Sequence, residues 1–170
     1  MNHPAELALH QYLRNAIDGK SEMSQDIIDK IKEDIGDALD KQFNTAEGKQ
    51  EFKLRMSNIG RPKCQLWFEK NDPDHQEPLP TSFKVNMIFG DMVEALLKGL
   101  LRASGVQFGD NEKVSLPLNE KEELSGEYDM LLDDKIDDVK SASAWSYENK
   151  FVDFYTLESG DTFGYVPQLV

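Results

Sequence analysis

The stretch Gly126-Glu-Tyr-Asp129-Met-Leu-Leu-Asp-Asp-Lys-Ile-Asp-Asp138-Val-Lys140-Ser141 reads as two short strands joined by a polar turn. Tyr128, Met130 and Leu132 alternate with Glu127, Asp129 and Leu131, and residues 136–141 offer a second run. A two-residue loop at Asp133-Asp134 pairs Leu132 with Lys135 and, followed along the ladder, Asp129 with Asp138. Directly opposed residues have Cβ atoms roughly 4.5–5.5 Å apart, and like charges placed there repel. Lys140, two residues beyond Asp138, projects from the same face. The hairpin would gather two carboxylates and one ammonium, and a cation between the carboxylates would offset their repulsion. Hard oxygen donors favour magnesium or manganese. The plainer reading is that these are solvated turn formers, and one extra loop residue would move Asp129 to another partner.

Outward from this stretch, composition sets the frame. At 170 residues and 39% hydrophobic, the chain is expected to fold as a single domain with a real core, despite a mean hydropathy of -0.59. No apolar run approaches the ~18–20 residues that span a membrane. The start, Met-Asn-His-Pro-Ala-Glu, lacks the pattern of a signal peptide. The single cysteine, Cys64, excludes an internal disulfide and a cysteine-ligated zinc or iron–sulfur cluster. A cytoplasmic setting is the expectation.

The net charge of -13 argues against a general nucleic-acid coat. Between Lys49 and Lys70, however, Lys49, Lys53, Arg55, Arg61, Lys63 and Lys70 outnumber Glu51 and Glu69. A polyanion would have to be met there, although an ordinary mixed surface has the same composition.

Spacing and breakers predict a short helix over 5–17 ended by Asp18-Gly19, then a second from the N-cap Ser24 to about Asn44. A turn at Gly60-Arg61-Pro62 leads into a short helix, and 71–80 is a proline-rich loop. A helix over about 82–103 carries Phe89, Met92, Val93, Leu96, Leu97, Leu100 and Leu101 on one stripe expected to be core. Glu94 borders that stripe, either as a boundary residue or as a group able to reach a metal. Residues 113–118 form a candidate strand. Ser143 caps a helix bearing Tyr147, Phe151, Phe154 and Tyr155 on one face. Gly160-Asp161 ends it, and Asp161 begins a last helical turn through Gln168. The expected fold is α+β, with a helical part over 1–80 and, over 81–170, helix–strand–strand–strand–helix in a layered arrangement.

That order, with Gly126-x-x-Asp129 on one strand and Ile136-Asp-Asp138-Val-Lys140-Ser141 on the next, resembles the PD-(D/E)XK nuclease superfamily and its restriction-endonuclease-like core. Within it the match is to RecB-type and lambda-exonuclease-type nucleases of phage and recombination. Gly90-x-x-x-Glu94 looks like the first motif of that group, and Phe163-Gly-Tyr-Val-Pro-Gln168 like its later glutamine motif. Ser57-Asn-Ile-Gly60-x-Pro62-x-Cys64-Gln-Leu-Trp67-Phe68 resembles the segment near the start of such domains.

The resemblance implies divalent-metal-dependent hydrolysis of DNA, most simply by an exonuclease. Asp129, Asp138, the Val139 carbonyl and Glu94 would hold Mg2+ or Mn2+. Lys140 would position or deprotonate the attacking water, and Gln168 would hydrogen-bond near the scissile phosphate. DNA is the implied partner, with a second copy or a recombination protein as further partners. Two other classes stay open: a non-catalytic DNA-binding or assembly protein on a nuclease core, and an acidic interaction protein that mimics nucleic-acid charge.

Overall fold

The structure is a computed structural model describing residues 3–44, 52–120, 122–161 and 166. It is mixed α and β, with six α-helices and two small antiparallel sheets among the described residues. The chain forms two compact units. The first takes Met1–Ala46, Leu79–Asp110 and Met130–Ser141; the second takes Glu47–Pro78, Asn111–Asp129 and Ala142–Val170.

In the first unit, helix α1 (Pro4–Ile17) starts where the ring Nδ1 of His3 accepts the Ala5 N–H at 3.2 Å. It ends at Asp18, followed by Gly19 at φ +68°, a left-handed conformation that glycine adopts without strain. Helix α2 (Gln25–Phe43) is capped by the Ser24 hydroxyl, which accepts the Ile27 N–H at 3.4 Å. Both helices fall where breakers and caps put them.

The long helix of this unit, α4 (Thr81–Ala103), comes after α3 (Lys63–Asn71) of the second unit in the chain. It packs on α2 through a side that includes Gly99, where an added methyl would overlap the Ile31 side chain. That close approach turns Ala95, Lys98 and Gly99 inward. The expected core stripe is consequently split. Leu101 is buried and Leu97 packs beside it, whereas Phe89, Val93 and Leu96 are exposed. Apolar content alone misplaced the inner face, because the smallest side chain set where α2 comes closest.

Strands β3 (Met130–Leu132) and β4 (Lys135–Asp137) form a hairpin in the same unit. Asp133 (φ 50°) and Asp134 (φ 60°) make the two-residue turn, with both residues left-handed as a type I′ connection requires. Leu132 pairs with Lys135 as expected, and the ladder stops at Met130–Asp137. The other edge of β3 pairs Leu131 with Gly109 through two backbone bonds of 2.8 and 2.9 Å. Ala5, Leu101 and Met130 form the buried core, with Leu9, Val106, Phe108, Leu132 and Val139 packed around it.

In the second unit, α3 (Lys63–Asn71) follows Pro62 and leads to a 3-10 turn at Pro73–His75. Strands β1 (Glu112–Pro117) and β2 (Glu123–Tyr128) pair antiparallel from Glu112–Tyr128 to Pro117–Glu123. The loop before α3 docks on β2. Met56 donates to the Ser125 carbonyl at 2.8 Å, and Ser125 donates back to Leu54 at 3.2 Å. Buried Asn58 folds that loop, accepting from the Arg55 N–H at 2.9 Å and donating to the Lys53 carbonyl at 3.1 Å.

Two expectations need correction here. The helix foreseen after Ser143 is two, α5 (Ala144–Asn149) and α6 (Phe154–Ser159). The cause is Asp153, whose carboxylate accepts the Thr156 N–H at 2.8 Å and starts a new helix. Nor are Tyr128, Met130 and Leu132 on one unbroken strand. β2 ends at Tyr128, β3 begins at Met130, and Asp129 lies in a bend between them. Among the described residues the strands make two two-stranded sheets instead of one of three.

Candidate active site

Asp138, Val139, Lys140 and Glu94 belong to the first unit and Asp129, just after β2, to the second, while Gln168 lies outside the described residues. Asp129 and Asp138 were expected to face each other in a ladder. The β3–β4 ladder ends one pair short of them, since the chain bends at Asp129 and β3 is only three residues long. Asp138, Val139 and Lys140 therefore follow β4 without being part of it.

Val139 nevertheless packs against the Leu101–Met130 core, which ties this tail to the unit. The residues on either side of it meet. The Lys140 Nζ lies 2.5 Å from the Asp138 Oδ2, a charge-assisted contact between two partly exposed groups. This is the adjacency that the i, i+2 spacing foretold.

Glu94 sits on α4 three and seven residues before Leu97 and Leu101, on the side that adjoins the core. Its Oε1 accepts from the Lys98 ammonium at 2.6 Å, and the Lys98 side chain is only 6% exposed. A buried ammonium requires a counter-charge, and Glu94 supplies it. Lys98 was not singled out from sequence, although a Glu followed four residues later by Lys is the favourable helical order.

The motif glycines differ in kind. A methyl group at Gly126 would press on the Met56 side chain, at 2.7 Å from its Cγ, so a larger residue there would displace Met56. At Gly90 an added methyl would meet open space, and no steric reason for glycine exists locally. Beside Asp129, the Tyr128 hydroxyl donates to the Glu112 carboxylate at 2.9 Å, which pushes the phenol above its ordinary value. Asp133 and Asp134 serve the turn, and Asp133 also approaches the His3 Nε2 at 3.4 Å.

Among the described residues, no three His, Cys, Asp or Glu side chains are grouped to hold a metal. The chemistry of the candidate donors suits a hard divalent ion, since Asp129, Asp138, Glu94 and the Val139 carbonyl all offer oxygen. Asp138 and Glu94 each already accept an ammonium. His10 and His75 make local contacts with Glu6 and Asp72 instead of joining these carboxylates.

The basic segment lies in the second unit. Lys53, Arg55, Arg61, Lys63 and Lys70 are all exposed. Arg61 pairs with Glu69 at 2.8 Å and Lys70 with Glu122 at 2.9 Å. The Lys70 ammonium and the Asn119 side chain hold the Glu122 carboxyl below its ordinary range. No described helix is long and apolar enough to cross a membrane. No protein-family model, curated protein or solved structure matches this chain.

Proposed function

We propose that this chain is a divalent-metal-dependent DNA nuclease of the PD-(D/E)XK type, acting in the cytoplasm and most simply as an exonuclease. The observation that carries the reading is the Asp138–Lys140 contact, held beside the β3–β4 hairpin by the inward-turned Val139. A carboxylate and an ammonium two residues apart, on either side of Val139, are the acid–lysine pair that phosphodiester hydrolysis of this type uses. The register of Leu132 with Lys135 and the type I′ turn agree with the hairpin from which that pair was inferred.

Asp138, Glu94 and the Val139 carbonyl, all of the first unit, would hold Mg2+ or Mn2+. When bound, the ion would polarise the phosphate and acidify water. The Lys140 ammonium would orient the attacking water and balance charge building on the phosphoryl oxygens. Gln168 would add a hydrogen bond to the phosphate. Exposed Lys53, Arg55 and Lys63 would attract the DNA backbone, so binding would weaken steeply with salt.

Linear and circular DNA incubated with Mg2+, Mn2+ or chelator tests this directly. Metal-dependent products are expected, with a loss of about 100-fold or more in Asp138→Ala and Lys140→Ala. Degradation of linear DNA alone marks an exonuclease, and nicked circles an endonuclease. Absence of metal-dependent product from the wild-type chain would overturn the reading.

A further inference from the structure

Helix α3 presents two different sides. Gln65, Phe68, Glu69 and Asp72 line a groove shared with His75 and Glu77. Lys63, Trp67 and Lys70, spaced i, i+4 and i+7, form a separate stripe. All three are exposed, Trp67 to 58%. An indole so exposed between two ammonium groups gains little for folding, and it has the make-up of a surface that stacks bases and meets phosphates.

The stripe is also ordered. Phe68 meets the Trp67 ring edge-on at 5.1 Å and 88°, which braces the indole from the groove side. The Asn71 amide donates to the Trp67 carbonyl at 2.8 Å and secures the last turn. Lys63 has no carboxylate partner among the described residues. Among the described residues Lys70 is paired with exposed Glu122, a solvent-screened pair that a phosphate can displace. Lys63 and Lys70 are separated by roughly 10 Å along the helix axis, with Trp67 between them.

We propose that the Lys63–Trp67–Lys70 stripe of α3 is a platform for single-stranded DNA, with a base stacked on the indole and neighbouring phosphates on the two ammonium groups. A single strand is the fitting occupant because its bases can leave the stack and offer a face, which a duplex does not. The choice of DNA as ligand rests on the nuclease reading above; the stacking geometry does not.

Oligothymidylate titrated in chelator, where no metal-dependent cleavage occurs, separates the two. Binding should quench tryptophan fluorescence in the wild type and by a larger fraction in Trp145→Phe, where Trp67 is the remaining indole. Trp67→Leu should weaken affinity on the order of tenfold or more, and Trp67→Phe, which keeps a ring, should recover part of it. Lys63→Gln with Lys70→Gln, two exposed changes that leave the fold alone, should flatten the slope of log affinity against log salt by about 1.4. Duplex affinity should be unchanged in Trp67→Leu.

The platform is overturned if the wild type does not bind oligothymidylate. It is equally overturned if Trp67→Leu binds like the wild type, or loses duplex and single-strand affinity alike. Binding with these properties from a chain that cleaves no DNA would remove the nuclease reading and keep the platform. Cleavage with unaltered binding in Trp67→Leu would do the reverse.

Discussion

The two hairpins are built from neighbouring residues and are stabilised in different ways. β3–β4, in the first unit, has Met130 in the core and Leu132 packed beside it, and its turn needs two left-handed aspartates. β1, in the second unit, is exposed at all six residues. β2 there pairs along its length with β1 and bonds through Ser125 to the loop around Met56. One hairpin depends on apolar burial, which resists substitution poorly. The other depends on backbone pairing and exposed polar contacts, which tolerate side-chain change. Asp129 lies where one regime gives way to the other.

The widest separation should come from truncating matched apolar residues. Met130→Ala should cost about 3 kcal/mol in denaturant unfolding, while Leu116→Ala on β1 should stay within about 0.5 kcal/mol. Equal losses would break the comparison. Ion pairs should divide similarly. Glu94→Ala strands the buried Lys98 ammonium and should cost about 2 kcal/mol, toward the low side for a broken buried pair because Glu94 keeps some solvent. The double variant Glu94→Gln with Lys98→Met should recover most of that loss, whereas Lys70→Ala in the second unit should leave the unfolding midpoint unchanged.

A smaller effect of opposite sign belongs to the turn. Asp134→Gly removes a left-handed non-glycine residue and should stabilise the protein by about 1 kcal/mol, read as a raised unfolding midpoint. The smallest concerns Tyr128. Its neutral hydroxyl donates to Glu112, so its folded pKa lies above the unfolded one. The contribution is therefore complete below the ordinary tyrosine value of about 10 and fades as pH rises through the folded value. Ultraviolet titration should show one late-ionising phenol, absent from Tyr128→Phe.

Much of the local structure was legible in the residues. Ser24, Asp18-Gly19 and Pro62 marked helix ends because capping and backbone preference act within a few residues. Asp133-Asp134 marked the turn, and the turn fixed Leu132 against Lys135. The i, i+2 spacing of Asp138 and Lys140 matched their contact, although these residues lie beyond β4. The inner face of α4 did not follow, because Ile31 reaches Gly99 from a helix far away in the chain. The break at Asp129 was hidden for a similar reason. Alternation continues straight through Tyr128, Met130 and Leu132, while their backbone partners change.

The sequence by itself determined the ends of the first two helices, the start of α3, and the two-residue turn with its register. Those depend on dihedral preference and on neighbours within about one helical turn or one strand pair. Only the tertiary structure decided which side of α4 is buried, that the Lys98 ammonium is taken in on that side, and that Met56 packs closely over Gly126. Burial and steric exclusion are set by segments distant in the chain, and no local pattern contains them.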